Sequence, residues 1–222
     1  MPQIAPPHSL RAGLSWCLCN GQPVFLDLAR DRYFCLPAAL DPSFRRWSTG
    51  APLASEALDQ LVACGILESG GSGPTPATAH PPAQRDLATA RPHGHTLSDI
   101  VGAIALQLAA RRAVKRSPLS AIVARLEARR LGTPADGDDE SPLRRVASAF
   151  VASAVLLRAQ DQCLPRAIAA MRLCHHLGQP AALVFGVRIN PFAAHCWVQW
   201  KDAVVVGDLE TVRLYTPILV VT

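Results

Sequence analysis

The sequence predicts an α+β chain of two modules, and three patterns carry that expectation. A short β-meander with a strong hairpin turn fills residues 14–36 and is followed by two helical stretches before residue 68. Apolar residues at helical spacing then dominate from residue 96 to about 159. A further helix begins at Cys163 and runs into three strand-like segments closed by Gly207-Asp208. The 222 residues allow one or two domains, and with half of them hydrophobic there is enough apolar material for a sizeable core.

In the first module, Leu14 to Cys19 reads as a strand, Asn20-Gly21 as a hairpin turn, and Pro23 to Leu28 as the second strand. Ala29-Arg30-Asp31 turns the chain into a third strand, Arg32 to Leu36. Short helices are expected near Asp41–Trp47 and over Leu53–Cys64, the latter ended by Gly65 as a C-cap. Strands followed by helices over residues 1–68 read as a compact winged-helix-like module.

Residues 69–95 contain nine Gly or Pro residues among 27, a composition that cannot build a core of its own and reads as a flexible linker. Thr96-Leu97-Ser98-Asp99 resembles a capping box opening a helix to about Arg112. A second helix is expected near Pro118–Arg130 and a third over Leu143–Ala159, with Val146, Phe150, Val151, Ala154 and Val155 forming its apolar side. Arg111, Arg112, Lys115, Arg116, Arg125, Arg129 and Arg130 read as the solvated faces of these helices.

Residues Leu164, Ala167, Ile168, Met171 and Cys174 recur at helical spacing, which places Cys163 at a helix N-terminus. There, unpaired N–H groups and the helix dipole favour a thiolate, and Pro165 is harmless in the first turn. Ala182 to Arg188, His195 to Trp200 and Ala203 to Val206 read as strands, with Lys201-Asp202 as a tight turn. In chain order the chemistry-bearing residues are Cys163, His195 and Asp208. A thiol acts as a nucleophile when an imidazolium lowers its pKa, and a carboxylate fixes the tautomer of that imidazole. Asp202 and Glu210 compete with Asp208 for the third place. Asp202 falls in the turn away from His195, and Glu210 lies two residues further along.

Composition excludes several classes. The net charge of +5 is concentrated in residues 91–150, whereas residues 1–90 hold 6 basic and 7 acidic residues. The first module therefore lacks the clustered positive charge that phosphate binding needs, and no nucleic-acid partner is expected. The longest apolar stretch, Val146 to Leu157, is too short to span a bilayer, so no membrane partner is expected either. The seven cysteines are odd in number and scattered, without a secretion signal, which reads as a reduced, cytoplasmic protein with free thiols. Cys17 and Cys19 share a strand face, but no paired Cys-x-x-Cys or His motif follows them, and no metal or other cofactor is expected. The phosphate-cradling glycine motif is absent, and the only lysines are Lys115 and Lys201.

Cys163-Leu164-Pro165-Arg166-Ala167, Ala194-His195-Cys196-Trp197-Val198-Gln199, Val205-Val206-Gly207-Asp208 and the tail Tyr215-Thr216-Pro217-Ile218-Leu219 resemble the transglutaminase-like leader peptidases of bacterial lasso-peptide biosynthesis, the B proteins. The match covers the last third of the chain firmly and the middle third weakly. Cys196 departs from the Ala expected there in relatives and, being small, reads as neutral. The phrase Pro23-Val24-Phe25-Leu26-Asp27-Leu28, with Arg32-Tyr33-Phe34-Cys35-Leu36-Pro37, resembles the precursor-recognition elements of peptide-modifying enzymes.

The resemblance implies a transglutaminase/papain-like cysteine peptidase domain over about residues 96–222, with Cys163, His195 and Asp208 as its triad. It also implies a leader-recognition module at 1–68, in which Arg32, Tyr33, Phe34, Cys35 and Leu36 pair with the leader as an added strand. The implied partners are the precursor's leader peptide and a separate asparagine-synthetase-like cyclase, which would supply any nucleotide chemistry. The same triad equally serves a transglutaminase-like acyltransferase or amidase acting on another substrate.

Overall fold

The computed structural model describes residues 8–88, 94–129, 139–157 and 162–222. The chain divides into two compact units, Met1–Ala79 and His80–Thr222.

The first unit contains β1 (His8–Leu10), β2 (Leu14–Cys19), β3 (Gln22–Asp27), β4 (Arg32–Cys35), α1 (Asp41–Ser48), α2 (Ser55–Ala63) and β5 (Leu67–Ser69). Strands β2, β3 and β4 form an antiparallel meander in that order. Its first turn works because Asn20 and Gly21 both take positive φ, at 48° and 76°, the pairing a tight hairpin demands. Gly65, at φ 73°, ends α2, and the N–H of Ile66 reaches back to the Leu61 carbonyl at 2.8–3.0 Å together with that of Gly65 to Val62. Trp16, Phe25, Phe44 and Trp47 build an aromatic core, with Phe44 edge-on to both Trp16 and Phe25. Asp27 is fully buried, yet its carboxylate accepts from Arg11 at 2.6 Å and from the N–H groups of Ala29 and Arg30, so the charge is compensated. A β1–β5 pair, not anticipated, joins the two ends of this unit.

The two edges of the meander differ. Along β2, the indole of Trp16 donates to the Thr75 carbonyl at 3.0 Å, and the Thr78 N–H donates to the Trp16 carbonyl at 2.8 Å. Strand β4 pairs with β3 alone, and among the described residues no strand is laid along its outer side.

The second unit contains β6 (Arg85–Asp86), α3 (Leu97–Arg116), α4 (Leu119–Glu127), α5 (Ser141–Ala154), α6 (Cys163–His176), β7 (Ala182–Arg188), β8 (Ala193–Trp200), β9 (Ala203–Val206), α7 (Leu209–Val212) and β10 (Thr216–Val221). The sheet order is β10-β7-β8-β9-β6, antiparallel except for the β6–β9 pair. Helix α3 opens with the expected capping box, and Asp99 additionally accepts a bidentate pair of bonds from Arg145 of α5, at 2.8 and 2.9 Å. Those bonds hold the Asp99 carboxyl down at about 2. Buried Gln107 of α3 donates to Ser153 of α5 at 2.9 Å, a second tie between these helices. Helix α6 buries Ala167, Ile168, Ala169, Ala170, Met171 and Cys174, and its small side chains let it pack closely on β8.

Two expectations need correction. The stretch 69–95 is not a free linker where it is described. Its first part covers β2 as above, while the Pro81 carbonyl accepts from the side chain of Gln199 at 2.8 Å, Arg85–Asp86 form β6, and Leu87 is buried. Gly- and Pro-rich backbone cannot form a core, but in extended form it still offers carbonyls and sheet-edge pairing to units that have one. Residues 89–93 of that stretch lie outside the described residues. On α5, Val146 and Phe150 are buried as expected, but Val151 is 51% exposed because the buried stripe is narrower than the apolar pattern, and the helix ends at Ala154, short of the expected Ala159, leaving Val155 84% exposed. Arg130 and Ala159, assigned to helix ends, lie outside the described residues.

Candidate active site

Helix α6 starts at Cys163, so the thiol is carried on the first residue of a 14-residue helix. The β-ladder presents His195 near the start of β8, and the chain leaving β9 presents Asp208. All three residues line one cavity of about 220 Å³, together with Gln162, Arg166, Ala167, Cys196, Val206, Gly207 and Thr211. The three residues singled out from sequence are therefore brought together, and among the described residues Asp208 is the only carboxylate in that lining.

The Cys163 thiol is drawn down from 9.0 to about 4. The largest cause is a hydrogen bond from the Cys196 thiol. Burial works in the opposite direction, and the hydrogen bond and charge of His195 and the backbone N–H of Cys196 add to the lowering. Cys196, which reads as neutral in sequence, is thus a direct neighbour of the nucleophile. Its own thiol is pushed far upward, as expected for a buried donor beside a thiolate. By contrast, burial pushes Cys17 and Cys174 up to about 12.

Aromatic rings hold His195 in place. It stacks on Trp197, with ring centroids 6.3 Å apart, and lies tilted against Tyr215 at 5.3 Å. Trp197 is fixed in turn by its indole N–H, which donates to Gln199 at 2.9 Å, and Gln199 donates to the carbonyls of Pro81 and Lys201. The ring contacts around His195 demand a glycine across the ladder. A Cβ on Gly186, its cross-strand partner, would lie 2.7 Å from the Trp197 ring and 2.9 Å from Tyr215.

Asp208 is the N-cap of α7, and its carboxylate accepts from the Thr211 N–H at 2.8 Å and from the Thr211 hydroxyl at 2.5 Å. These bonds, with a smaller contribution from the nearby His195 charge, hold the Asp208 carboxyl below the usual range. His195 Nε2 is buried and has no hydrogen-bond partner, so Asp208 stands beside the imidazole without bonding that nitrogen. Its competitors are engaged elsewhere: Asp202 pairs with Arg85 at 2.9 Å and Glu210 with Arg213 at 3.1 Å. Among the described residues, no group of three or more His, Cys, Asp or Glu side chains is arranged to hold a metal ion. Gln162 and Thr211 had no individual signal in the sequence, and Arg166 stood out only as part of the motif that begins at Cys163.

The arrangement suits acyl transfer: a thiolate at a helix N-terminus, an imidazole in contact with it, and a carboxylate at the same cavity. The model of one family, the transglutaminase-like superfamily, matches residues 104–220. No curated protein and no solved structure gives a significant match. The matched residues run from within α3 almost to the end of β10 and make up more than half of the sequence. The chain belongs to the transglutaminase-like superfamily.

Proposed function

We propose that this protein is a lasso-peptide B-type leader peptidase, which captures the leader of a ribosomally made precursor and cleaves the leader–core amide bond. The observation that carries the reading is Cys163, lowered to about 4 in contact with His195, in one cavity with Asp208. The Cys163 thiolate attacks the junction carbonyl, and N–H groups at the α6 N-terminus stabilise the oxyanion. His195 passes a proton to the leaving amine, which is the N-terminus of the core. It then takes a proton from water as that water attacks the thioester and releases the leader carboxylate. Asp208 supports the imidazolium electrostatically and, by a small shift toward the unpartnered Nε2, fixes its tautomer.

Residues 1–68 with their extension to Ala79 act as a winged-helix-like recognition module. The leader adds as a strand beside β4, along Arg32, Tyr33, Phe34, Cys35 and Leu36. Two features support this: among the described residues the outer side of β4 carries no strand, and Phe34 and Leu36, on and just after β4, are half-buried against the core of this unit. The setting is cytoplasmic, where the free thiols stay reduced, and an asparagine-synthetase-like cyclase closes the ring on the released core. No helix among the described residues is long and apolar enough to cross a membrane.

The test is incubation of the purified protein with a precursor peptide encoded by a neighbouring reading frame, followed by mass spectrometry. Free core and intact leader are expected. A product that instead incorporates an added amine at the acyl carbon would move the reading to an acyltransferase built on the same three residues.

A further inference from the structure

The second sulfur at the nucleophile forms no bond to the substrate in amide cleavage. Cys196 lies in β8 opposite Phe185 and is 5% exposed, while Cys163 is half-buried and opens onto the cavity. Both line the same cavity, one on α6 and the other on β8, which pack against each other, and the Cys196 side chain is the strongest influence on the Cys163 thiol. Neither cysteine is in a disulfide. An accessible thiolate with a shielded thiol in contact is the pairing found where one sulfur meets an oxidant and the other resolves the product.

We propose that Cys163 and Cys196 form a dithiol modification site, which hydroperoxides convert to an intramolecular disulfide that reversibly shuts off the nucleophile. In the first step the Cys163 thiolate attacks the terminal oxygen of the hydroperoxide. The O–O bond breaks, an alcohol or water leaves after taking up a proton, and Cys163 becomes a sulfenic acid. In the second step Cys196 gives up its proton and its sulfur attacks the Cys163 sulfur. The S–O bond breaks, and hydroxide departs as water with that proton. The two thiols lose two electrons together, and the hydroperoxide gains them. Two exchanges with a dithiol reductant restore both thiols.

The site explains why the pair stays productive when reduced. The same Cys196 side chain that resolves the sulfenic acid favours the thiolate of Cys163 in the resting enzyme, so one side chain serves both states. Without it, the sulfenic acid has no thiol in contact and proceeds to the sulfinic acid, which dithiols do not reduce. Cys17, Cys19 and Cys174 are buried, and peptide mapping distinguishes any product at the exposed Cys35 and Cys64. The consequence for leader removal rests on the peptidase reading; the sulfur chemistry does not.

The test treats the reduced full-length protein with a small excess of hydrogen peroxide over two equivalents at neutral pH, enough to carry an unresolved sulfenic acid to the sulfinic acid, alkylates it with iodoacetamide and maps its peptides by mass. The expected product is a monomer in which the Cys163 peptide is joined to the Cys196 peptide, with dithiothreitol restoring rapid alkylation of Cys163. In Cys196→Ala and Cys196→Ser the same treatment should give dimedone-reactive Cys163 and then a sulfinic acid that dithiothreitol does not reverse. Wild-type protein whose Cys163 reaches the sulfinic acid with Cys196 unmodified overturns the pairing, whether or not either variant folds. Cleavage of a precursor is followed separately. A cross-link in a protein that cleaves nothing supports the pairing and sinks the peptidase reading, and cleavage without a cross-link does the reverse.

Discussion

Gly186 stands directly across the β7–β8 ladder from His195, and the space a methyl group would need there is filled by Trp197 and Tyr215. Those two rings are the ones that hold the imidazole. Gly186→Ala therefore forces backbone or rings to move in a packed interior, at a cost of about 1–3 kcal/mol. The expected result is a lowered Tm together with a larger fall in kcat than in substrate affinity, because the imidazole loses its position. A variant with wild-type kcat would show that the rings do not position His195.

Cys163→Ala should abolish turnover and leave leader binding intact, since capture and chemistry are assigned to different units. The pH dependence of alkylation gives an independent check. With the thiol at about 4, the thiolate is the dominant form throughout neutral pH and is lost only as pH falls through that value. Iodoacetamide should thus modify Cys163 at a nearly constant rate between about pH 6 and pH 8, whereas an ordinary thiol near 8.5 slows roughly tenfold per pH unit below its pKa. A Cys163 rate that climbs tenfold per unit across neutral pH would contradict the lowered thiol.

Asp208 carries two tasks, and substitution separates them. Asn is as good an N-cap as Asp, so Asp208→Asn keeps the bond from the Thr211 N–H while removing the charge beside His195. Its stability should stay close to wild type, while kcat falls by at least about tenfold and by as much as 10⁴-fold, the range seen when a tautomer-fixing carboxylate is lost. Asp208→Ala should lose about 1 kcal/mol of stability as well. Asp202→Asn and Glu210→Gln break only exposed ion pairs and should retain activity. An inactive Asp202→Asn beside an active Asp208→Asn would overturn the assignment.

Residues 1–79 expressed alone should bind a fluorescent leader peptide, measured by anisotropy. A fragment ending at residue 68 should melt lower, because it lacks Ser69 of β5 and both hydrogen bonds that Thr75 and Thr78 make to Trp16. Two hydrogen bonds at about 1 kcal/mol each set the scale of that loss. Phe34→Pro places a residue without an N–H in β4 and removes the ring stacked on Phe25 at 5.2 Å. It should weaken leader binding by about tenfold or more. A folded 1–79 fragment that fails to bind, beside a full chain that binds, would move capture to the second unit.

Local patterns in the sequence determined the elements that depend on local physics. The Asn20-Gly21 turn, the Gly65 helix end, the Thr96–Asp99 capping box and the start of α6 at Cys163 each rest on backbone preferences within a few residues. The order Cys163, His195, Asp208 was legible for the same reason, because each lies at the end of an element whose period can be read. Only the tertiary structure decided what those ends meet. That the Cys196 thiol faces Cys163, that Gly186 makes room for the rings at His195, and that Asp208 spends its carboxylate on Thr211 are relations between chain segments brought together by packing. No periodicity encodes them. The stretch 69–95 shows the same limit from the other side: its composition states that it builds no core, and only the docking of Thr75, Thr78, Pro81 and β6 states where its carbonyls and N–H groups are satisfied.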